Sequence, residues 1–322
     1  MFKLPSNLSK RLFKTMILCV NLSPCLEINI EVDSLSVGKM HKVISRRTYF
    51  TGKAMNVAVG LSRLGAHALA SGFMYEDNGR LFEHEMHREG VTYKFVWNGG
   101  RMKEVYKFVD ARSMLTEVVD DATPIEEGKC EELVNLVGDL SKSCKAVVLS
   151  GGLPEGVPDD LTYKILAAVN PSAFKIVDTD GDSLATLSEL GVDLVKPNLT
   201  ELQRALNVKI TDRNSLLKAC DALIDRGARR VLVSLGNQGA VYSDGNVRLY
   251  SSSVNAAMNS TAGAGDAMVA GATKALCDGA SAENILRCGV AAGTASVTTP
   301  DNISFLRDKY EEVLNSLTVK EI

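Results

Sequence analysis

The sequence predicts an α/β protein, a three-layer αβα sandwich with a mostly parallel central sheet and a small β-sheet lid. Short β-branched apolar runs alternate with segments of helical period along most of the chain. The runs are continuous, as in strands covered on both faces. Two segments, 27–50 and 91–119, leave that rhythm for period-two alternation and then return to it. At 322 residues, 45% hydrophobic and 23% charged, the chain can bury a large core.

The elements follow in order. The first 15 residues, MFKLPSNLSKRLFKT, are basic and read as a loose tail. The run from Met16 to Leu22 contains Asn21 and ends in Ser23-Pro24. It reads as a first strand, not as the core of a signal peptide. EINIEVDSL and KVISRRTYF form the first lid segment, and TYKFVWN, EVYKFVD and LTEVVD the second, with NGG at 98–100 as a hairpin turn. Together they predict an antiparallel sheet with one wet face. Residues 54–64 set Val57, Leu61 and Leu64 on one helical stripe. Further helices are expected at 129–141, 159–169, 182–190, 200–206, 213–227 and 265–277. Strands are expected at 145–150, 174–179, 193–197 and 230–236. The core is therefore discontinuous, 16–26, 51–90 and 120–322, with the lid inserted in it. A lid over the carboxyl edge of such a sheet is built to close on a small ligand.

Composition narrows the function. A net charge of −3 gives no electrostatic case for nucleic acid or an anionic membrane. No stretch approaches the ~18 apolar residues of a membrane span. Seven scattered cysteines without a C-x-x-C pair fit neither a disulfide framework nor a zinc site, and read as reduced thiols of a cytoplasmic protein. His84 and His87 in EHEMHRE do not form H-E-x-x-H and read as a charged, solvated helix face.

The chemistry concentrates in glycine-bearing turns that follow strands. In NSTAGAGDAMVAG, Gly263, Ala264 and Gly265 run into Asp266 at the start of a helix. Bare backbone amides there suit a phosphate, and a carboxylate beside them can take a proton. Alone, Asp266 equally complements the helix dipole. In VKPNLTEL, Lys196 ends a strand, and Asn198 and Glu201 share a helix face. They suit a Mg²⁺–phosphate network, and they equally spell a capping box. In SLGNQGA, Ser234, Gly236 and Gly239 allow backbone to approach a nucleotide, or simply turn the chain. In TGKAMN, Gly52 lets backbone approach a ligand. Lys53 sits at a helix N-terminus, where a cation makes sense if it meets an anionic substrate, and Asn56 lies one turn on. SGGLPEGVP either walls the site or turns the chain.

In this combination and order, STAGAGDAMVAG, SGGLPEGV, KPNLTEL and SLGNQGA resemble the ribokinase-like PfkB carbohydrate kinases, and more narrowly their 1-phosphofructokinase and tagatose-6-phosphate kinase branch. The resemblance runs from about Met16 to about Thr299. It implies a ribokinase-like fold and transfer of the γ-phosphoryl of Mg-ATP to a sugar-phosphate hydroxyl. It implies Asp266 as catalytic base and the backbone of Ala262, Gly263, Ala264 and Gly265 as anion hole. Lys196, Ser234, Gly236 and Gly239 would serve ATP, Asn198 and Glu201 would hold Mg²⁺ through water or phosphate, and Gly52, Lys53 and Asn56 would bind the acceptor. The lid of such proteins often pairs with a second subunit, which implies a homodimer.

Departures cluster at the acceptor end. The branch pattern G-G-K-G is Thr51-Gly52-Lys53-Ala54 here, N-P-x-x-D is Ser23-Pro24-Cys25-Leu26-Glu27, and T-R-x-N is Met102-Lys103-Glu104-Val105. Glu27 and Lys103 would have to replace a shorter acid and a bidentate guanidinium at the acceptor. Fructose 1-phosphate is the leading acceptor and tagatose 6-phosphate the second. An unphosphorylated sugar or nucleoside, and a non-catalytic sugar-phosphate sensor, are the alternatives. No G-x-G-x-x-G follows the first strand, which argues against a dehydrogenase.

Overall fold

The computed structural model describes residues 16–179, 181–253, 263–299 and 304–322. The expected tail, 1–15, lies outside them. In chain order the elements are β1 (Met16–Asn21), β2 (Cys25–Val32), β3 (Val43–Thr51), α1 (Lys53–Arg63), β4 (His67–Tyr75), α2 (Arg80–Arg88), β5 (Thr92–Tyr93), β6 (Val96–Asn98), β7 (Lys103–Val109) and β8 (Leu115–Asp120). Then come α3 (Lys129–Ser141), β9 (Ala146–Ser150), α4 (Leu161–Ala168), β10 (Phe174–Asp178), α5 (Gly181–Ser188), β11 (Leu194–Val195), α6 (Leu199–Leu206), α7 (Arg213–Asp225) and β12 (Val231–Ser234). The chain ends with β13 (Ala240–Ser243), β14 (Arg248–Ser251), α8 (Ala264–Cys277), α9 (Ala282–Thr298), α10 (Arg307–Ser316) and β15 (Val319–Glu321).

The main sheet has the order β15-β14-β13-β12-β11-β10-β9-β1-β4-β5, with β6 also beside β4. It is parallel from β5 to β12 and antiparallel beyond. Strand β1 shows why helices cover both faces. Ile17 and Cys19 join the apolar cluster of α1, α8 and α9, while Leu18 and Val20 join that of α3, α4 and α7. A strand apolar on every residue needs cover on both sides. The parallel strands bring Asn21, Ser150, Asp178, Lys196 and Ser234 to one edge.

The second sheet, β3-β2-β7-β8, is the lid. It is mixed, not antiparallel as the alternation predicts. Two antiparallel hairpins, β2–β3 and β7–β8, join through a parallel β2–β7 pair. The expected boundary at 91 is also corrected. TYKFVWN pairs in parallel with β4 and so belongs to the main sheet, and NGG leads out of it without forming a hairpin. Asn98 explains the arrest of alternation: its buried side chain bonds the Gly99 and Pro124 carbonyls and the Glu126 amide.

Candidate active site

Strand register builds the floor of the site. Val177 pairs with Val195, so the next residues, Asp178 and Lys196, stand side by side. Both are buried, 2% and 4% exposed, with Nζ 3.2 Å from Oδ1. Ser150, on the neighbouring strand, donates to the other Asp178 oxygen at 3.1 Å. A buried pair of this kind keeps its geometry because loss of either partner strands a charge.

The N-terminus of α8 lies above this floor. Gly263 is its N-cap with φ 78°, and no side-chain cap bond is made. The first intrahelical bond runs from the Ala267 amide to the Gly263 carbonyl, which leaves the preceding amides for an anion. Lys196 adds positive charge there, since a Cβ on Gly265 would lie 3.4 Å from its Nζ. Asp266, third in the helix and 7% exposed, accepts a hydrogen bond from Asn56 Nδ2 at 2.7 Å. Burial, with the Asp178 charge behind it, pushes the Asp266 carboxyl up to about 7, and the Asn56 bond, Lys196 and Lys53 pull the other way.

The opposite wall comes from α6 and the turn after β12. Asn198 and Glu201 form the capping box: each backbone amide donates to the other's side chain, at 2.8 and 2.9 Å. The remaining Glu201 oxygen lies 3.9 Å from Lys53 Nζ. Asn198 bridges to Ser234, which sets α6 beside β12. Gly239 has φ 95°, and a Cβ there would sit 2.0 Å from the Ser251 carbonyl oxygen. The packing of this loop thus requires a glycine, and Gly239 also lines the cleft, where the sequence expects a nucleotide.

One cleft of about 590 Å³ is lined by Lys53, Lys196, Asn198, Glu201, Ser234, Gly236, Gly239 and the turn from Gly263 to Asp266. Sequence reasoning missed Asp178 and the apolar wall of Met268, Val290 and Val297 on α8 and α9. The signal for Asp178 was an acid closing the buried end of a strand at the carboxyl edge.

Of the expected acceptor residues, Lys53 lines the cleft and Glu27 and Lys103 lie on the lid. Glu27, in β2, is ion-paired with Lys107 at 2.7 Å, and Lys103, at the start of β7, lies 3.8 Å from Asp121. Neither lines the cleft. Gly52, φ 149°, packs against the Asn21 side chain: a Cβ would meet its Nδ2 at 2.4 Å. Asn56 binds Asp266, and its own Oδ1 is buried without a partner. Ala262 lies outside the described residues.

An anion-ready helix end beside a buried carboxylate, at the carboxyl edge of a parallel sheet, is equipment for moving a phosphoryl group to a hydroxyl. The fold and the site thus define a small-molecule kinase. The model of the pfkB family of carbohydrate kinases matches residues 15–309, and the chain belongs to that family. It is 30% identical over 300 residues to a 1-phosphofructokinase of Xanthomonas campestris, covering 88% of this chain and 94% of that one. It is 27% identical over 312 residues to a tagatose-6-phosphate kinase of Staphylococcus epidermidis, covering 95% and 100%. Phosphofructokinase-2 from Escherichia coli, solved in complex with potassium, superposes with a TM-score of 0.86 at 26% identity, covering 94% of this chain and 98% of that one.

Proposed function

We propose that the protein is an ATP-dependent sugar-phosphate kinase. It transfers the γ-phosphoryl of Mg-ATP to a hydroxyl of a phosphorylated ketohexose, with fructose 1-phosphate to fructose 1,6-bisphosphate the leading reaction and tagatose 6-phosphate the second acceptor. The observation that carries this reading is the uncapped N-terminus of α8 with buried Asp266 in its first turn. Asp266 takes the proton of the attacking hydroxyl. The amides of Gly263, Ala264 and Gly265, with Lys196, offset charge on the phosphoryl in flight. Lys53, at the mouth of the cleft, suits an acceptor that already carries a phosphate.

The donor set suits Mg²⁺ only at second hand. One oxygen each of Asn198 and Glu201 is committed to the capping box, and among the described residues no three His, Cys, Asp or Glu gather to hold a metal. Asn198 and Glu201 would hold the ion through water or ATP phosphate, and the ion would neutralise phosphate charge. Two further readings join this one. A homodimer through the lid is supported by exposed Val43, Ile44, Leu115, Val118 and Val119 on β3 and β8. A cytoplasmic location is supported by seven free cysteines. No described helix is long and apolar enough to cross a membrane.

The test is ADP release on a panel of free and phosphorylated sugars. Turnover is expected on at least one sugar phosphate, with kcat rising through pH ~7 as the Asp266 carboxylate forms. The Asp266→Asn enzyme is expected to lose at least ~10² in kcat. Ligand binding without turnover on any acceptor would favour the sensor, and preference for an unphosphorylated sugar would remove the role given to Lys53.

A further inference from the structure

We propose that Ser150 is a positioning residue for Lys196, acting on the transferring phosphoryl group through Asp178. The inference rests on Lys196 serving the transfer, as read above. Strand register puts the three residues in one row: Ser150 pairs with Asp178, and the Val177–Val195 pair sets Lys196 beside Asp178. Alternation puts them on one face. Val148, Ile176 and Leu194 pack in the cluster of α1, α8 and α9, and the residue two further along the chain from each faces the same way. That is the side on which α8 opens onto the cleft. Backbone bonds clamp the strand ends: the Gly151 amide donates to the Asp178 carbonyl and the Lys196 amide to the Val177 carbonyl, both at 3.0 Å. What remains to be set is the turn of the Asp178 carboxylate and the path of the lysine chain.

Ser150 sets the first, and the second follows. The two contacts of the carboxylate differ in kind. Its Oδ2 accepts a hydrogen bond from the Ser150 hydroxyl at 3.1 Å. Its Oδ1 has no hydrogen-bond partner and meets Lys196 Nζ at 3.2 Å as a charge contact. A charge contact depends on distance, whereas a hydrogen bond depends on direction as well. The terminal torsion of an aspartate is broad and two-fold, so the directional bond decides where the carboxylate points. The ammonium then lies where Oδ1 holds it, beside the first turn of α8: a Cβ on Gly265 would be 3.4 Å from Nζ. Ser150 is fully buried and does not line the cleft, whereas Asp178 and Lys196 do. It reaches the reaction only through these neighbours. An apolar residue would continue the buried run Ala146–Leu149 with no hydroxyl to satisfy, so the hydroxyl answers to Asp178.

The test measures kcat and the KM values for ATP and the preferred sugar phosphate in wild type, Ser150→Ala and Ser150→Cys. It repeats Ser150→Ala in a Lys196→Met/Asp178→Asn background. Ser150→Ala is expected to lose ~5-fold or more in kcat with acceptor KM within ~3-fold, since the contact disturbed is one made to the phosphoryl in flight. Ser150→Cys, close in size and a weaker donor, should fall between Ser150→Ala and wild type. In the neutralised background there is no ammonium to aim, and Ser150→Ala should cost less than ~2-fold in kcat. A hydroxyl with a merely structural role would cost the same in both backgrounds, and that result overturns the proposal. So does wild-type kcat in Ser150→Ala. If Ser150→Ala does not fold, Ser150→Cys takes its place in both backgrounds under the same criteria. Wild-type kcat in Lys196→Met/Asp178→Asn removes the role given to Lys196, and this proposal with it. A slow enzyme there beside full kcat in Ser150→Ala sinks only this proposal.

Discussion

Two ion pairs, one in the core and one on the lid, are built differently. Lys196 and Asp178 close the ends of adjacent core strands, almost without solvent access. Glu27 and Lys107 sit on the lid, where Lys107 also reaches Glu117 at 3.7 Å and both lid partners keep some exposure. The first pair is fixed by sheet register and cannot be altered singly without stranding a charge. The second lies on the four-stranded lid, is only partly buried, and shares Lys107 between two carboxylates, so losing one partner strands less charge.

The contrast can be broken by substitution. Lys196→Met leaves Asp178 buried and unpaired, and is expected to cost about 3–5 kcal/mol in urea unfolding. Adding Asp178→Asn should recover part of that loss. If Lys196→Met unfolds like wild type, the core pair is not the anchor described here. Gly239→Ala comes next. Its left-handed backbone and the Ser251 carbonyl in the way of a Cβ predict a loss of about 1–3 kcal/mol and a weaker apparent affinity for ATP. Unchanged stability would return Gly239 to a purely ligand-facing role. Lys107→Met should be mildest, about 1 kcal/mol or less, and its cost should shrink with added salt. A loss equal to that of Lys196→Met would erase the distinction between the two pairs.

What could be read from the sequence follows the same division. The turn at 263–266, the N-x-x-E pair and the glycine turn after β12 were legible because each is a local pattern with a local cause. Asn198 and Glu201 did form the capping box that their spacing spells. The fold class was legible because β1, β9 and β12 are nearly continuous apolar runs. Strand β4, HALASGFMY, was not seen. It is buried along nearly its whole length but mixes small residues with large unbranched ones and has no Val, Ile or Thr, so neither alternation nor β-branching marks it. Asp178 was missed because its partner lies on the next strand, and only the register brings Lys196 beside it. The bond between Asn56 and Asp266, 210 positions apart, left no trace in the sequence.

The lid carries one more consequence, for the order of folding. Its central pair joins residues 25–31 to 103–109. Between these strands the chain runs through β3, α1, β4, α2, β5 and β6. Either hairpin closes a short loop, but joining them directly would mean closing a long one, and that entropy falls before any contact compensates it. Once β4, β5 and β6 are laid beside β1, the two hairpins are already neighbours. Joining the two hairpins is thus the entropically costly step of lid assembly unless the core has already brought them together.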